Sequence, residues 1–336
     1  MSLKNILLVL LSLTSSALYS EKYGSYDISF THPVSAGMAS LGIGFNNPSS
    51  SLYNNPAFLS SSSKYVVDGG IGVSANQKKF SPGMPTSFGF YIPSTENFGW
   101  GLNGKQVFYQ NFPGGYDRMS AYTFSLFGSY KISENWNISL GVGPSVVFRA
   151  GYQSNYSIGA TVSVSYQNKN HTLGISGQTI GKFRLEGYRD VDALKERLPE
   201  IAGLGYGYNW GQTLFYLEGR KIFWEKSTFD LNNENSKPNL DRGLGAEIKL
   251  SSGIQYSIKE SRMQLRTGVE TGGFYDEKGL NRRAGGIAIG ASWNYKSADE
   301  DEMISIHLAL LNYSIFSNKG GRLPESLLFL SVSYIF

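Results

Sequence analysis

The chain contains no cysteine. That excludes disulfide staples, thiolate metal sites and a lipid anchor on an N-terminal cysteine, and it suits an exported protein held together by other means. Charge is scarce as well: Asp, Glu, Lys and Arg make up 17% of the residues, against roughly 25% in soluble domains. The 30 basic and 26 acidic side chains nearly balance and form no basic block, so no nucleic-acid partner is expected. The 3 histidines, His32, His171 and His307, have none of the close spacings of a chelating pair and read as polar side chains, so neither a metal nor a cofactor is expected. Long apolar runs are missing too. Past the first residues nothing approaches the roughly 20 apolar residues of a membrane helix. If the mature chain crosses a bilayer it must do so as a closed barrel, the other way to satisfy every backbone donor and acceptor in lipid.

What is present points to that barrel. There are 40 Gly, and aromatics reach 14%. Residues 1–20 read as a secretory signal, with Lys4 at the positive end, an apolar run from Ile6 to Leu13, and Ser15, Ser16 and Ala17 as a small-residue cleavage region cut after Ala17 or after Ser20. Beyond them, segments of about ten residues alternate apolar with small or polar side chains, the period of a strand with one face on lipid and one on a wet lumen. Ile158, Ala160, Val162, Val164 and Tyr166 face one way and Ser157, Gly159, Thr161, Ser163 and Ser165 the other. Tyr122, Phe124, Leu126 and Tyr130 alternate with Thr123, Ser125, Phe127 and Ser129, and Ile304, Ile306 and Leu308 with Ser305 and His307.

Spacing discriminates more sharply than pattern. Strands are expected near Lys64 to Ala75, Thr86 to Pro93, Phe98 to Gln110, Ser120 to Ile132, Trp136 to Arg149, Tyr156 to Gln167 and Asn170 to Phe183. Seven more are expected near Glu200 to Tyr208, Gly211 to Arg220, Gly243 to Ile258, Arg262 to Thr271, Ala284 to Tyr295, Glu302 to Tyr313 and Ser326 to Phe336. Tight polar turns, as at Ser133 to Asn135 and around Trp210, alternate with long connections, as at Arg184 to Pro199 and Lys221 to Arg242. Short periplasmic turns and long extracellular loops are the habit of outer-membrane barrels. The fold class is therefore all-β: a transmembrane antiparallel up-and-down barrel of about 14 strands, integral to a bacterial outer membrane. Leu328, Leu330, Val332, Tyr334 and Phe336 alternate to a terminal aromatic, so Tyr334 and Phe336 are the expected signal for outer-membrane assembly machinery.

Between the signal and the first strand, residues 21–63 form a Ser-, Asn-, Gly- and Pro-rich segment. It carries Gly37-Met38-Ala39 within a small-residue run and then Asn55-Pro56-Ala57 followed by Leu59. These residues resemble the opening of the FadL-type family of outer-membrane hydrophobic-compound transporters, with the chain a divergent member that is also similar to PorV-like relatives. An Arg common before the small-residue run is replaced here by Pro33, Val34 and Ser35. The resemblance implies an N-terminal plug inside a fourteen-stranded barrel formed by residues 64–336. Pro56 fixes its own φ and holds Asn55 extended, so Asn55-Pro56-Ala57 reads as a bend in that plug.

No catalytic residue is expected: Ser305 and His307 share a strand face, but it is the luminal face rather than the lipid boundary. Glu247, Lys249, Arg266 and Glu270 also point inward, where they would pair with the plug or hold water. Pro144 removes a ladder donor and requires a bulge or local gap. Gly101 and Gly104 weaken the third strand, and FadL-type proteins release substrate sideways through a kink there, so Gly101, Gly104 and Pro144 are the candidate lateral opening. The expected function is passive transport of a hydrophobic or amphipathic small molecule, such as a long-chain fatty acid, captured at Phe108, Tyr109, Phe112 and Tyr116 and released to outer-membrane lipid or the periplasm. The alternative is a PorV-like scaffold that docks exported proteins and transports nothing.

Overall fold

The computed structural model describes residues 26–27, 32–76, 79–81, 86–111, 118–149, 152–186, 194–197, 200–223, 247–258, 261–275, 281–296, 302–312 and 326–336. Fourteen of its strands build the wall. In chain order they are β1 Val66–Asn76, β2 Thr86–Pro93, β3 Phe98–Asn111, β4 Arg118–Lys131, β5 Trp136–Arg149, β6 Asn155–Gln167, β7 His171–Thr179, β8 Glu200–Trp210, β9 Thr213–Phe223, β10 Glu247–Ile258, β11 Met263–Tyr275, β12 Asn281–Lys296, β13 Met303–Asn312 and β14 Ser326–Ile335. Neighbours pair antiparallel, and β14 returns to β1 with Ile335 opposite Val66 and Ser326 opposite Ala75. Closure removes the free edges that a bilayer would leave unsatisfied. At the seam Tyr65 and Phe336 exchange both backbone hydrogen bonds, at 2.8 and 3.1 Å, and their rings stack at 5.0 Å.

The period-two expectation is met on both faces. Outward-pointing Leu140, Ile158, Leu217 and Ile248 are highly exposed, while Ser139, Ser163, Ser165 and Ser305 between such positions are buried. An apolar exterior over a small, polar interior is a lipid-facing wall. Trp136, Trp210, Trp293, Tyr295 and Phe336 are exposed at strand ends joined by short turns, forming an aromatic girdle at one membrane boundary. No helix among the described residues is long and apolar enough to cross a membrane. The wall is that of a transmembrane β-barrel.

Strand ends shift by a few residues from the sequence expectation, and at two of them the backbone shows why. The seventh strand stops at Thr179 rather than reaching Phe183, because Gly181 adopts φ +104 and turns the chain out of the ladder. Residues Lys182–Leu185 then pair with Leu194–Arg197 as a separate two-stranded hairpin inside what reads as loop. The turn expected at Trp210 falls one residue later, where Gly211 takes φ +67. The signal segment and most of the long connections lie outside the described residues.

Residues 32–63 lie inside the barrel. Prolines begin each short helix, where their missing N–H costs nothing: α1 Pro33–Ala36, α2 Pro48–Asn54 and a 3-10 turn at Pro56–Ser61. His32 and Asn47 cap the two α-helices by accepting from Val34 N–H and Ser50 N–H. The first helix packs on β12, β13 and β14, the second on β1, β2 and β3, and the 3-10 turn on β3 through β6. The loop between the helices meets β8, β10 and β11. Contacts that run round the circumference place the segment in the lumen.

Candidate functional site

The segment is seated by close backbone approach. A Cβ on Gly37 would come within 2.9 Å of Gly290 Cα, one on Gly44 within 2.3 Å of Gly205 carbonyl carbon, and one on Gly268 within 2.5 Å of the Met38 backbone. At Gly37–Gly290 and Gly44–Gly205 glycine is required on both sides, and at Gly268 on the wall side. Between them the chain turns through Ala39 at φ 57 and Ser40 at φ 66, left-handed conformations costing an L-residue roughly 1–2 kcal/mol each. Buried Glu218 on β9 accepts from Gly42 N–H and Ile43 N–H, both at 2.7 Å, and is paired with Arg220, which also donates to Ser40 O. Asn55 bridges segment and wall, its amide donating to Ile43 O at 2.8 Å and Val164 O at 3.2 Å. Ser129 on β4 donates to Pro56 O at 2.8 Å.

Toward the short-turn end the lumen is sealed by a buried polar cluster. Asp68 on β1 accepts from Tyr53 hydroxyl at 2.8 Å and from Ser333 at 2.7 Å. His32 Nδ1 is spent accepting Val34 N–H, so its proton sits on Nε2 and points at Asp68 Oδ2, 3.1 Å away. Burial, then the Asp68 carboxylate, push the Tyr53 phenol well above its ordinary value. The remaining bonds have one consistent direction: Arg266 donates to Ser292, Ser292 to His307 Nδ1, His307 Nε2 to Ser333, and Ser333 to Asp68. Arg266 has only donors, which sets the order. This chain links a buried cation on β11 to a buried carboxylate on β1 across three intervening strands.

The cluster does not make a catalytic triad. Ser331 Oγ and Asp68 Oδ2 both meet Nε2 of His32, at 3.0 and 3.1 Å, whereas base relay needs serine and carboxylate on opposite ring nitrogens. Ser305 instead donates to Asn294 at 2.8 Å.

Toward the long-connection end lies a cavity of about 100 Å³. Its lining mixes apolar and charged side chains: Ile201 and Ile222 on β8 and β9, Leu311, Leu327 and Phe329 on β13 and β14, and between and opposite them Lys105, Arg220, Lys249 and Glu270, with Asn54 and Pro56 forming part of the floor. Lys105 donates to Tyr53 O at 2.7 Å, ending α2. The volume suits a head group or a small ring rather than a whole amphiphile.

No protein-family model and no curated protein sequence matches this chain. Solved structures do. The CymD monoaromatic hydrocarbon channel superposes with a TM-score of 0.65 at 13% identity, over 92% of this chain and 98% of its own. A Pseudomonas aeruginosa FadL homologue gives 0.65 at 12% identity, over 93% and 99%, and the Pseudomonas putida toluene transporter TodX 0.62 at 12%, over 92% and 98%. The chain has the FadL-type fold.

In this FadL-type barrel the sequence-derived positions fall in three groups. Gly37, Met38, Ala39, Asn55, Pro56 and Ala57 are all buried, Gly37 and Met38 against β10 to β12 and Asn55 and Pro56 against β4 to β6. Gly101 and Gly104 lie in regularly paired stretches of β3, Gly101 beneath the inward Phe127 ring and Gly104 beneath the outward Phe88 and Phe124 rings. The wall is irregular close by instead. A bulge falls between Gln106 and Phe108 on β3. Opposite Pro144, the β4–β5 ladder skips from Thr123–Ser145 to Leu126–Val142. Both irregularities abut the same stretch of β4, Tyr122 to Ser125. Of the capture residues, Phe108 and Tyr109 lie on β3, while their side chains and all of Phe112 and Tyr116 lie outside the described residues. Among the inward charges, Lys249 and Glu270 line the cavity and Arg266 joins the sealed cluster.

Sequence reading missed that His32 and His307 meet, with ring centroids 5.4 Å apart; His171 stays apart, bonded to Tyr206. It also missed the cavity's cations Lys105 and Arg220. Each occupies an inward position of an alternating strand, which is the only signal that marks it.

Proposed function

We propose that the barrel passes hydrophobic or amphipathic small molecules, of the long-chain fatty acid kind, passively across the outer membrane. The observation that carries this reading is the cavity at the long-connection end, whose lining sets apolar side chains beside the cations Lys105, Arg220 and Lys249, which matches a molecule with a greasy body and an anionic head. The solved structures with this fold support it, being described as a toluene transporter and a monoaromatic hydrocarbon channel. Capture occurs at the aromatic side chains Phe108, Tyr109, Phe112 and Tyr116, and the head group then settles against Lys105 and Arg220. Residues 21–63 act as the plug, bent at Asn55-Pro56-Ala57. Exit is lateral, past Tyr122 to Ser125, where the bulge and the Pro144 interruption converge. Tyr334 and Phe336, at the seam, present the strand that the assembly machinery receives. No catalytic step is involved.

The test is equilibrium binding of a labelled long-chain fatty acid to the purified barrel, with its methyl ester as the uncharged comparison. The acid should bind more tightly than the ester, and Lys105→Met should remove the difference at a cost of about 1.5–3 kcal/mol, the worth of a charge-assisted hydrogen bond. Equal affinities, or none, would sink the reading. The tight Gly37–Gly290 and Gly44–Gly205 contacts favour the alternative of a scaffold that docks exported proteins. An absence of both ligand binding and uptake would move the assignment there.

A further inference from the structure

We propose that His32, Asp68 and His307 form a site for a divalent transition-metal ion such as Zn²⁺, which ties the luminal segment to the barrel wall. One ligand atom from each residue lies within 4.8 Å of the other two, and all three residues are buried. Two imidazoles and a carboxylate are the donor set of zinc and its first-row neighbours; calcium and magnesium require six or more oxygens. Bonds of about 2.0–2.1 Å in a tetrahedral site put ligand atoms roughly 3.3 Å apart. His32 Nε2 and Asp68 Oδ2 already stand at 3.1 Å. His307 reaches the carboxylate through Ser333, whose hydroxyl lies 2.9 Å from His307 Nε2 and 2.7 Å from Asp68 Oδ2. The ion would replace that bridge, and Ser331, Ser333 or a water would supply the fourth ligand.

The surroundings are those of a held site. Tyr53 hydroxyl fixes the second carboxylate oxygen of Asp68 at 2.8 Å, and Ser292 stands at Nδ1 of His307. Outer partners of this kind orient metal ligands. Asp68 reaches the Arg266 cation only through Ser333, His307 and Ser292, so a dication would meet directly a buried carboxylate that is now neutralised at a distance. Loading requires each imidazole to move its proton from Nε2 to Nδ1. His307 then donates to Ser292, and His32 gives up the bond from Val34 N–H, one cap hydrogen bond against three coordinate bonds. The three ligands come from the luminal segment, from β1 and from β13. Binding is therefore a cross-link, felt as stability of the docked segment.

The experiment uses tag-free full-length barrel, folded in detergent with Zn²⁺ or Co²⁺ and dialysed, its folding verified by heat-modifiable gel mobility. The wild type should retain about one equivalent of zinc, give the intense visible absorption of four-coordinate Co²⁺, and lose thermal midpoint on chelation. Asp68→Asn and His307→Gln should lose the metal and the spectrum, Tyr53→Phe should lower affinity about tenfold, and His171→Gln should change nothing. Folded wild type that retains no metal and gives no Co²⁺ spectrum overturns the site. So does His307→Gln that folds and binds like the wild type. The wild-type measurements decide the matter even if a variant fails to fold.

Discussion

The two ends of the lumen are built from the same kinds of residue and behave in opposite ways. At the short-turn end His32, Tyr53, Asp68, His307, Ser331 and Ser333 bond to one another across four chain segments, all of them buried. At the long-connection end Lys105, Arg220, Lys249 and Glu270 stand round a cavity of about 100 Å³. In the first, donors are matched to acceptors and the luminal segment is fastened. In the second, Arg220 is paired with Glu218 and Lys105 donates to Tyr53 O, but the charged groups stand round a space, and the same segment forms only the floor. Polarity inside a barrel thus serves two ends: closed on itself, it locks; set round a cavity among apolar side chains, it lines a space.

That contrast can be broken most directly at Asp68. Asp68→Ala strands three donors in a buried setting and should cost about 3–5 kcal/mol, read from the midpoint of denaturant unfolding in detergent. A loss under 1 kcal/mol would mean the sealed end is not a lock. Gly44→Ala, which drives a methyl to within 2.3 Å of the Gly205 backbone, should cost about 1–3 kcal/mol as overpacking and expose the segment to limited proteolysis while the wall remains intact. Lys105→Met sharpens the other side. It should change stability by about 1 kcal/mol, the worth of its bond to Tyr53 O, while abolishing the preference for acid over ester. If it instead unfolds the segment as Asp68→Ala does, the two ends are one structural unit. The smallest effect is expected at Ser40→Gly: relieving a left-handed φ of 66 should raise stability by about 0.5–1 kcal/mol, visible as a higher thermal midpoint. No change there would mean that Arg220, bonded to Ser40 O, holds the turn unaided.

The wall was legible because a strand's side chains alternate by covalent geometry alone. Thr86–Pro93 and Trp136–Arg149 run as the alternation predicts, and Ser305 and His307 point inward as their neighbours Ile304 and Ile306 require. Gly37-Met38-Ala39 and Asn55-Pro56-Ala57, marked in the sequence by resemblance alone, are buried residues of the luminal segment. Where reading failed, a single residue overrode the pattern, as Gly181 did in ending β7 early. The bulge between Gln106 and Phe108 was missed for a related reason. One extra residue shifts the ladder without leaving a distinctive residue behind.

Sequence alone therefore determined that the chain is a barrel, which face of each strand meets lipid, and which side chains enter the lumen, because those follow from a period of two and from the cost of unpaired backbone in a membrane. Tertiary structure alone decided which inward residues meet. His32 reaches Asp68 from 36 residues away and Ser331 from 299, and only the closed ladder from β14 to β1, with the segment threaded inside it, brings them to one point. Local chemistry sets the direction of a side chain; its partner is set by register and closure, properties of the whole sheet that no single stretch of sequence contains.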